Sequence, residues 1–174
     1  PDNEACLRLP GIDGKAKMSK SLGNCIYLAE DPKDIKKKVM SMFTDPNHIR
    51  IEDPGSLEGN TVFTYLDAFC NDQHFEEYLP DYKNLDELKE HYQRGGLGDV
   101  KVKKFLNNVL QEELEPIRKR REELQKDIPY VYEVLKKGSE VARETAAQTL
   151  HEVRDAMKIN YFDDMELIRS QAKK

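Results

Sequence analysis

The sequence predicts an all-α protein, a helical bundle preceded by a glycine-rich loop. Three observations predict it. From residue 31 onward apolar residues recur at steps of three and four, with almost no alternating strand pattern. The runs open on capping side chains and close on Gly or Pro, and the connections between them are short, as in bundles. The 174 residues suit one domain or one and a half, and the chain is polar (35% charged, 38% hydrophobic, mean hydropathy -0.79).

Residues 1–30 hold Gly11, Gly14 and Gly23 with Pro10 and show no helical period, so they read as a loop with a short strand at Cys25-Ile26-Tyr27-Leu28. Asp31 caps a helix with Pro32 at its first position, and Ile35, Val39, Met42 and Phe43 form its apolar stripe until Thr44-Asp45-Pro46-Asn47 stops it. Residues 51–59 are a loop. Thr61 opens a helix with Val62, Tyr65, Leu66 and Phe69 on one face, followed by a short piece from Phe75 to Leu79. Asn84 caps a helix carrying Leu85, Leu88 and Tyr92, which ends at Arg94-Gly95-Gly96. Asp99 caps the longest helix, with Val102, Leu106, Leu110, Leu114, Ile117 and Leu124 in register and a kink expected at Pro116. Pro129 starts a short helix ending at Gly138. Ser139 caps the last strong one, striped by Ala142, Ala146, Leu150, Val153 and Met157, and the tail from Asn160 adds a turn or frays.

Composition excludes several classes. No apolar run reaches the eighteen or so residues of a membrane span, and Pro1-Asp2-Asn3-Glu4 does not begin a signal peptide. The missing initiator Met suggests a chain that begins mid-protein. Cys6, Cys25 and Cys70 fit neither a disulfide framework nor a metal knuckle and read as reduced thiols of a cytoplasmic protein. The net charge of -5 argues against nucleic acid only weakly, because basic residues cluster in 15–38 and 101–121. Each cluster is either a phosphate-binding patch or a solvated helix face.

Chemistry concentrates in Lys17-Met18-Ser19-Lys20-Ser21. Two ammonium groups three residues apart, two hydroxyls and flanking glycines suit a loop that closes over a polyphosphate. Lysines act as compact charges on oxygens, hydroxyls donate further hydrogen bonds, and glycines let the backbone approach.

Extended by Leu22-Gly23-Asn24, this segment matches the K-M-S-K-S signature of the class I aminoacyl-tRNA synthetases. Leu9-Pro10-Gly11-Ile12-Asp13-Gly14, Asp31-Pro32 with Ile35-Lys36-Lys37-Lys38-Val39, and Phe43-Thr44-Asp45 resemble the tryptophanyl/tyrosyl subgroup. Thr64-Tyr65-Leu66-Asp67-Ala68-Phe69, Tyr92-Gln93-Arg94-Gly95-Gly96-Leu97-Gly98-Asp99-Val100-Lys101 and Glu115-Pro116-Ile117-Arg118 resemble the bacterial tryptophanyl-tRNA synthetases. The resemblance runs to about residue 160.

It implies a ligase that activates tryptophan with ATP, releases pyrophosphate and esterifies tRNA. Lys17 and Lys20 carry over as catalytic phosphate ligands, Ser19 and Ser21 as donors, and Met18 as the residue that packs the ATP-binding segment. Magnesium accompanies the ATP, held mainly by its phosphates. Residues 1–30 correspond to the end of a Rossmann-like catalytic domain, and 31–174 to the helical tRNA- and anticodon-binding domain. The family's His-x-x-His motif is missing, since His48, His74, His91 and His151 do not pair that way. The chain is therefore expected to be a C-terminal part of a homodimeric enzyme, inactive alone. The alternatives are a tyrosine–tRNA ligase fragment and a tRNA-binding module without catalysis.

Lys101, Lys104, Arg118, Arg120 and Arg121 are the candidate tRNA contacts, because in the family the helical region meets the anticodon arm and arginines can read or stack on bases. Gly95-Gly96-Leu97-Gly98 reads as a helix stop and restart rather than a phosphate cradle. His48, His74 and His91 read as surface or cap residues. His151-Glu152 lacks the second histidine of a zinc motif, Asp155 standing in its place.

Overall fold

The computed structural model describes residues 7–162 and 164–171. It contains α1 (Pro32–Met40), α2 (Thr61–Phe69), α3 (Asp72–Tyr78), α4 (Leu85–Arg94), α5 (Asp99–Gln125), α6 (Ile128–Ala156) and α7 (Met165–Gln171). The chain forms two compact units that divide between Glu122 and Glu123.

In the first unit the loop around the lysine motif and α1 to α4 pack with α5 through residue 122. Helix starts are fixed by short side chains that accept from otherwise orphaned amides: Asp31 from Lys33, Asn60 from Val62, Asn71 from His74 and Asn84 from Glu87. The core is the apolar stripe of each helix. Ile35, Val39 and Met42 meet Val62, Tyr65 and Leu66, then Phe75, Leu88 and Tyr92, and the face of α5 made by Val102, Leu106, Val109 and Leu110. Burying each such aliphatic side chain contributes about 1.5–3 kcal/mol. Among the aromatic residues, Tyr65, Phe75 and Phe105 are buried, while Phe69 and Tyr78 are partly buried and pack against the core. Phe43 is 40% exposed and lies over Gly14.

Residues 25–28 are not a strand. The described residues contain only one isolated bridge, Pro10 to Lys17, and the segment has no neighbouring strand to pair with. Its order comes from side chains instead. Lys38 of α1 donates to the Cys25 carbonyl at 2.8 Å, pairs with Glu30 and sits over the Tyr27 ring.

The second unit corrects another expectation. The short helix expected to end at Gly138 and the strong one expected to start at Ser139 are one helix, α6, of 29 residues. A glycine ends a helix when it turns to a positive φ that other residues rarely adopt, as Gly95 does after α4 with φ +88°, and Gly138 keeps a negative φ. The stripe through Leu150, Val153 and Met157 remains exposed, and α6 has no buried residue. Pro116 lies within α5, which runs on through it to Gln125.

Candidate active site

The lysine motif sits on a loop whose backbone is laced to itself. The Gly11 amide donates to Ala16 at 2.7 Å, Ile12 to Asn24 at 2.9 Å and Gly23 to Lys20 at 3.2 Å. The Tyr65 hydroxyl of α2 donates to the Pro10 carbonyl (2.8 Å), and the Phe43 N–H, in the segment after α1, donates to the Ile12 carbonyl (2.9 Å), tying this loop to the first unit. Inside it Asn24 is buried. Its Oδ1 accepts from the Ser19 amide at 2.9 Å, and its Nδ2 donates to Asp13 Oδ1 at 3.1 Å and lies 3.5 Å from the Lys17 carbonyl. Met18 is half-buried and packs on the core.

The polar groups of the motif are differently placed. Lys17 and Lys20 are exposed, and neither ammonium has a partner among the described residues. The Ser19 and Ser21 hydroxyls bond to each other at 2.9 Å. Two cations on an anchored backbone, with hydroxyls beside them, can take the oxygens of a polyphosphate without first breaking an ion pair. Among the described residues no group of three or more His, Cys, Asp or Glu could hold a metal ion.

At the start of α5 a second polar cluster forms. Asp99 accepts from the Tyr92 hydroxyl (2.7 Å) and the Thr44 hydroxyl (2.9 Å), and its Oδ1 lies 3.2 Å from His48 Nδ1. Burial, and then the Asp99 carboxylate, push the Tyr92 phenol well above its ordinary pKa, so it stays a donor. His48 is buried rather than a surface residue and packs edge-on against Tyr92. His74 is a cap residue, as expected, and a buried one: it closes a capping box with Asn71. His91 accepts from or donates to the Tyr82 hydroxyl at 2.8 Å.

The basic residues of α5 fall into two places. Lys101 and Lys104 line a groove with Arg50, Tyr82 and His91. Lys101 also pairs with Asp81 at 3.1 Å and lies over the Tyr82 ring. Arg118 is half-buried and donates to the carbonyl and side chain of Gln111 at 3.2 and 3.1 Å, while Arg120 and Arg121 are exposed. Fourteen residues of helix separate Lys104 from Arg118, roughly 21 Å along the axis. The five positions do not converge on one patch.

Residues 6–115 match the family described as tRNA synthetases class I (W and Y). The chain belongs to this family. The tryptophan–tRNA ligase of Clostridium longisporum is 65% identical over 158 residues, covering 91% of this chain and 44% of that protein. The tryptophan–tRNA ligase of Streptococcus agalactiae is 57% identical over 162 residues, 93% of this chain and 46% of the other. The crystal structure of tryptophanyl-tRNA synthetase from Campylobacter jejuni, complexed with ADP and tryptophan, is similar with a TM-score of 0.68 at 28% identity, over 90% of this chain and 45% of that one. The chain thus spans a little under half the length of these relatives.

Within this class I synthetase chain, reading the sequence for cationic and hydroxyl groups finds Lys17, Ser19, Lys20 and Ser21 but passes over Asn24 and Asp13. Asn directly after Gly23 is an ordinary turn residue by propensity. The signal available was the pairing of two small polar residues with Gly11, whose missing side chain makes room for the Asn24 amide.

Proposed function

We propose that this chain supplies the phosphate-binding loop and the helical region of a tryptophan–tRNA ligase. In that reaction the tryptophan carboxylate attacks the α-phosphate of ATP, the α–β bond breaks, and pyrophosphate leaves. The aminoacyl group then passes to a terminal ribose hydroxyl of tRNA(Trp), releasing AMP. Lys17 and Lys20 hold the β- and γ-phosphate oxygens as charge grows on the leaving pyrophosphate, and Ser19 and Ser21 donate to the same oxygens once their mutual bond opens. Magnesium comes with the ATP and is held by its phosphates. The single observation that carries the reading is the pair of exposed ammoniums, neither with a partner among the described residues, on a backbone anchored at Ser19, in a chain 65% identical to a tryptophan–tRNA ligase.

Tryptophan binding and the histidine motif belong to the part of the relatives that this chain does not cover, as does the dimer contact of the cytoplasmic enzyme. Lys101 and Lys104 in their groove, and Arg118, Arg120 and Arg121 farther along α5, make two separate contacts with tRNA. Arg118 acts chiefly by bracing the helix through Gln111. The test is limited trypsin digestion of the chain. Adding ATP slows cleavage after Lys17 and Lys20, while cleavage after Lys136 and Lys137 on α6 is unchanged. Cleavage at the loop that ATP does not alter, together with tight tRNA binding, would make the chain a tRNA-binding module instead.

A further inference from the structure

We infer that Asn24 and Asp13 form a side-chain latch that positions the lysine loop for phosphate, with Asn24 as the positioning residue. The inference rests on the reading of this loop as the phosphate-binding segment. Asn24 is 5% exposed and uses both ends of its amide. Its oxygen takes the Ser19 amide (2.9 Å), fixing the backbone between the two lysines, and its nitrogen donates to Asp13 Oδ1 (3.1 Å) and faces the Lys17 carbonyl (3.5 Å). The Asn24 carbonyl accepts from Ile12 at 2.9 Å, so the latch closes on the turn that leads into the loop.

The surrounding residues reserve space for it. A Cβ on Gly11 would lie 2.1 Å from Asn24 Nδ2 and 2.8 Å from Asp13 Oδ1, distances that no side chain can occupy without displacing the amide. Gly23, directly before Asn24, has φ +66°, which turns the chain back under the motif. Neither Asn24 nor Asp13 is one of the cationic or hydroxyl groups that meet phosphate. Their part is to hold Lys17 and Lys20 where those groups can act, a positioning effect worth about 10²-fold when lost.

The polarity of the latch gives its test. Asn24→Asp keeps the shape and the acceptor for Ser19 but sets a carboxylate against Asp13. Adding Asp13→Asn restores a donor–acceptor pair with the roles exchanged. In the complete synthetase, tryptophan-dependent pyrophosphate exchange is expected to fall about 10- to 100-fold in kcat for Asn24→Asp, with KM for tryptophan unchanged. The Asp13→Asn/Asn24→Asp double variant recovers most of the loss. Gly11→Ala reproduces the loss without altering either partner. Unaltered exchange in Asn24→Asp, or a loss that Asp13→Asn leaves uncorrected, overturns the latch.

A readout independent of catalysis separates this inference from the functional reading. In the 174-residue chain without nucleotide, the Ser19 amide exchanges with solvent about five- to tenfold faster in Asn24→Ala, while amides in α5 keep their rates. A faster Ser19 amide in a protein that never binds ATP would retain the latch and discard the phosphate-binding reading. An unchanged Ser19 rate in a protein that does bind ATP would discard the latch alone.

Discussion

Asp99 gathers Tyr92, Thr44 and His48 around one carboxylate at the first turn of α5, and the Tyr92 hydroxyl it accepts from also receives Asn60 Nδ2 at 3.3 Å. Removing the carboxylate strands hydroxyls and an imidazole nitrogen in a partly buried place. Asp99→Ala is therefore expected to destabilise the first unit by about 2–4 kcal/mol, measured by urea denaturation. At Cys70, burial first and then Asp72 and Asp67 push the thiol up to about 12. Its thiolate is scarce at pH 8, so iodoacetamide labels it at least about 10²-fold more slowly in the native chain than in urea, read peptide by peptide by mass spectrometry. The sign for stability follows. The folded state keeps a proton that the unfolded thiol loses near 9, so the contribution of this group is complete below that pH and fades as pH rises toward 12.

Some helix boundaries were legible from a single residue. Asp31 with Pro32, Asn84 and Gly95 each mark one through a local mechanism that needs no distant partner, whereas Ser139, read as a cap, lies inside α6. Gly138 was misread because a glycine in a helix interior and a glycine at a helix end have the same letter, and only the sign of φ tells them apart. The strand expected at residues 25–28 failed for the complementary reason, since a strand depends on a partner that local sequence does not contain. The lysines of the candidate site were legible as chemistry, whereas the Asn24–Asp13 contact, eleven residues apart in sequence, depends on how the loop folds back. Gly138 also yields a prediction for α6. Nothing lies within 4 Å of the position its Cβ would take, so Gly138→Ala should stabilise the helix by about 1 kcal/mol, seen as a higher midpoint in denaturation followed at 222 nm.

For the molecule as a whole, the chain carries a loop with the exposed Lys17 and Lys20 but spans under half the length of its relatives. The 174-residue chain alone is expected to bind ATP weakly and to show no tryptophan-dependent pyrophosphate exchange even at high protein concentration. The central claim is that the ammoniums of Lys17 and Lys20 stabilise the departing pyrophosphate, and it is tested most directly by removing both in the complete synthetase. With Lys17→Ala/Lys20→Ala, the rate of tryptophan-dependent pyrophosphate exchange should fall by about 10²–10³ or more while tryptophan binding is retained. Exchange at the wild-type rate in that variant would contradict the account.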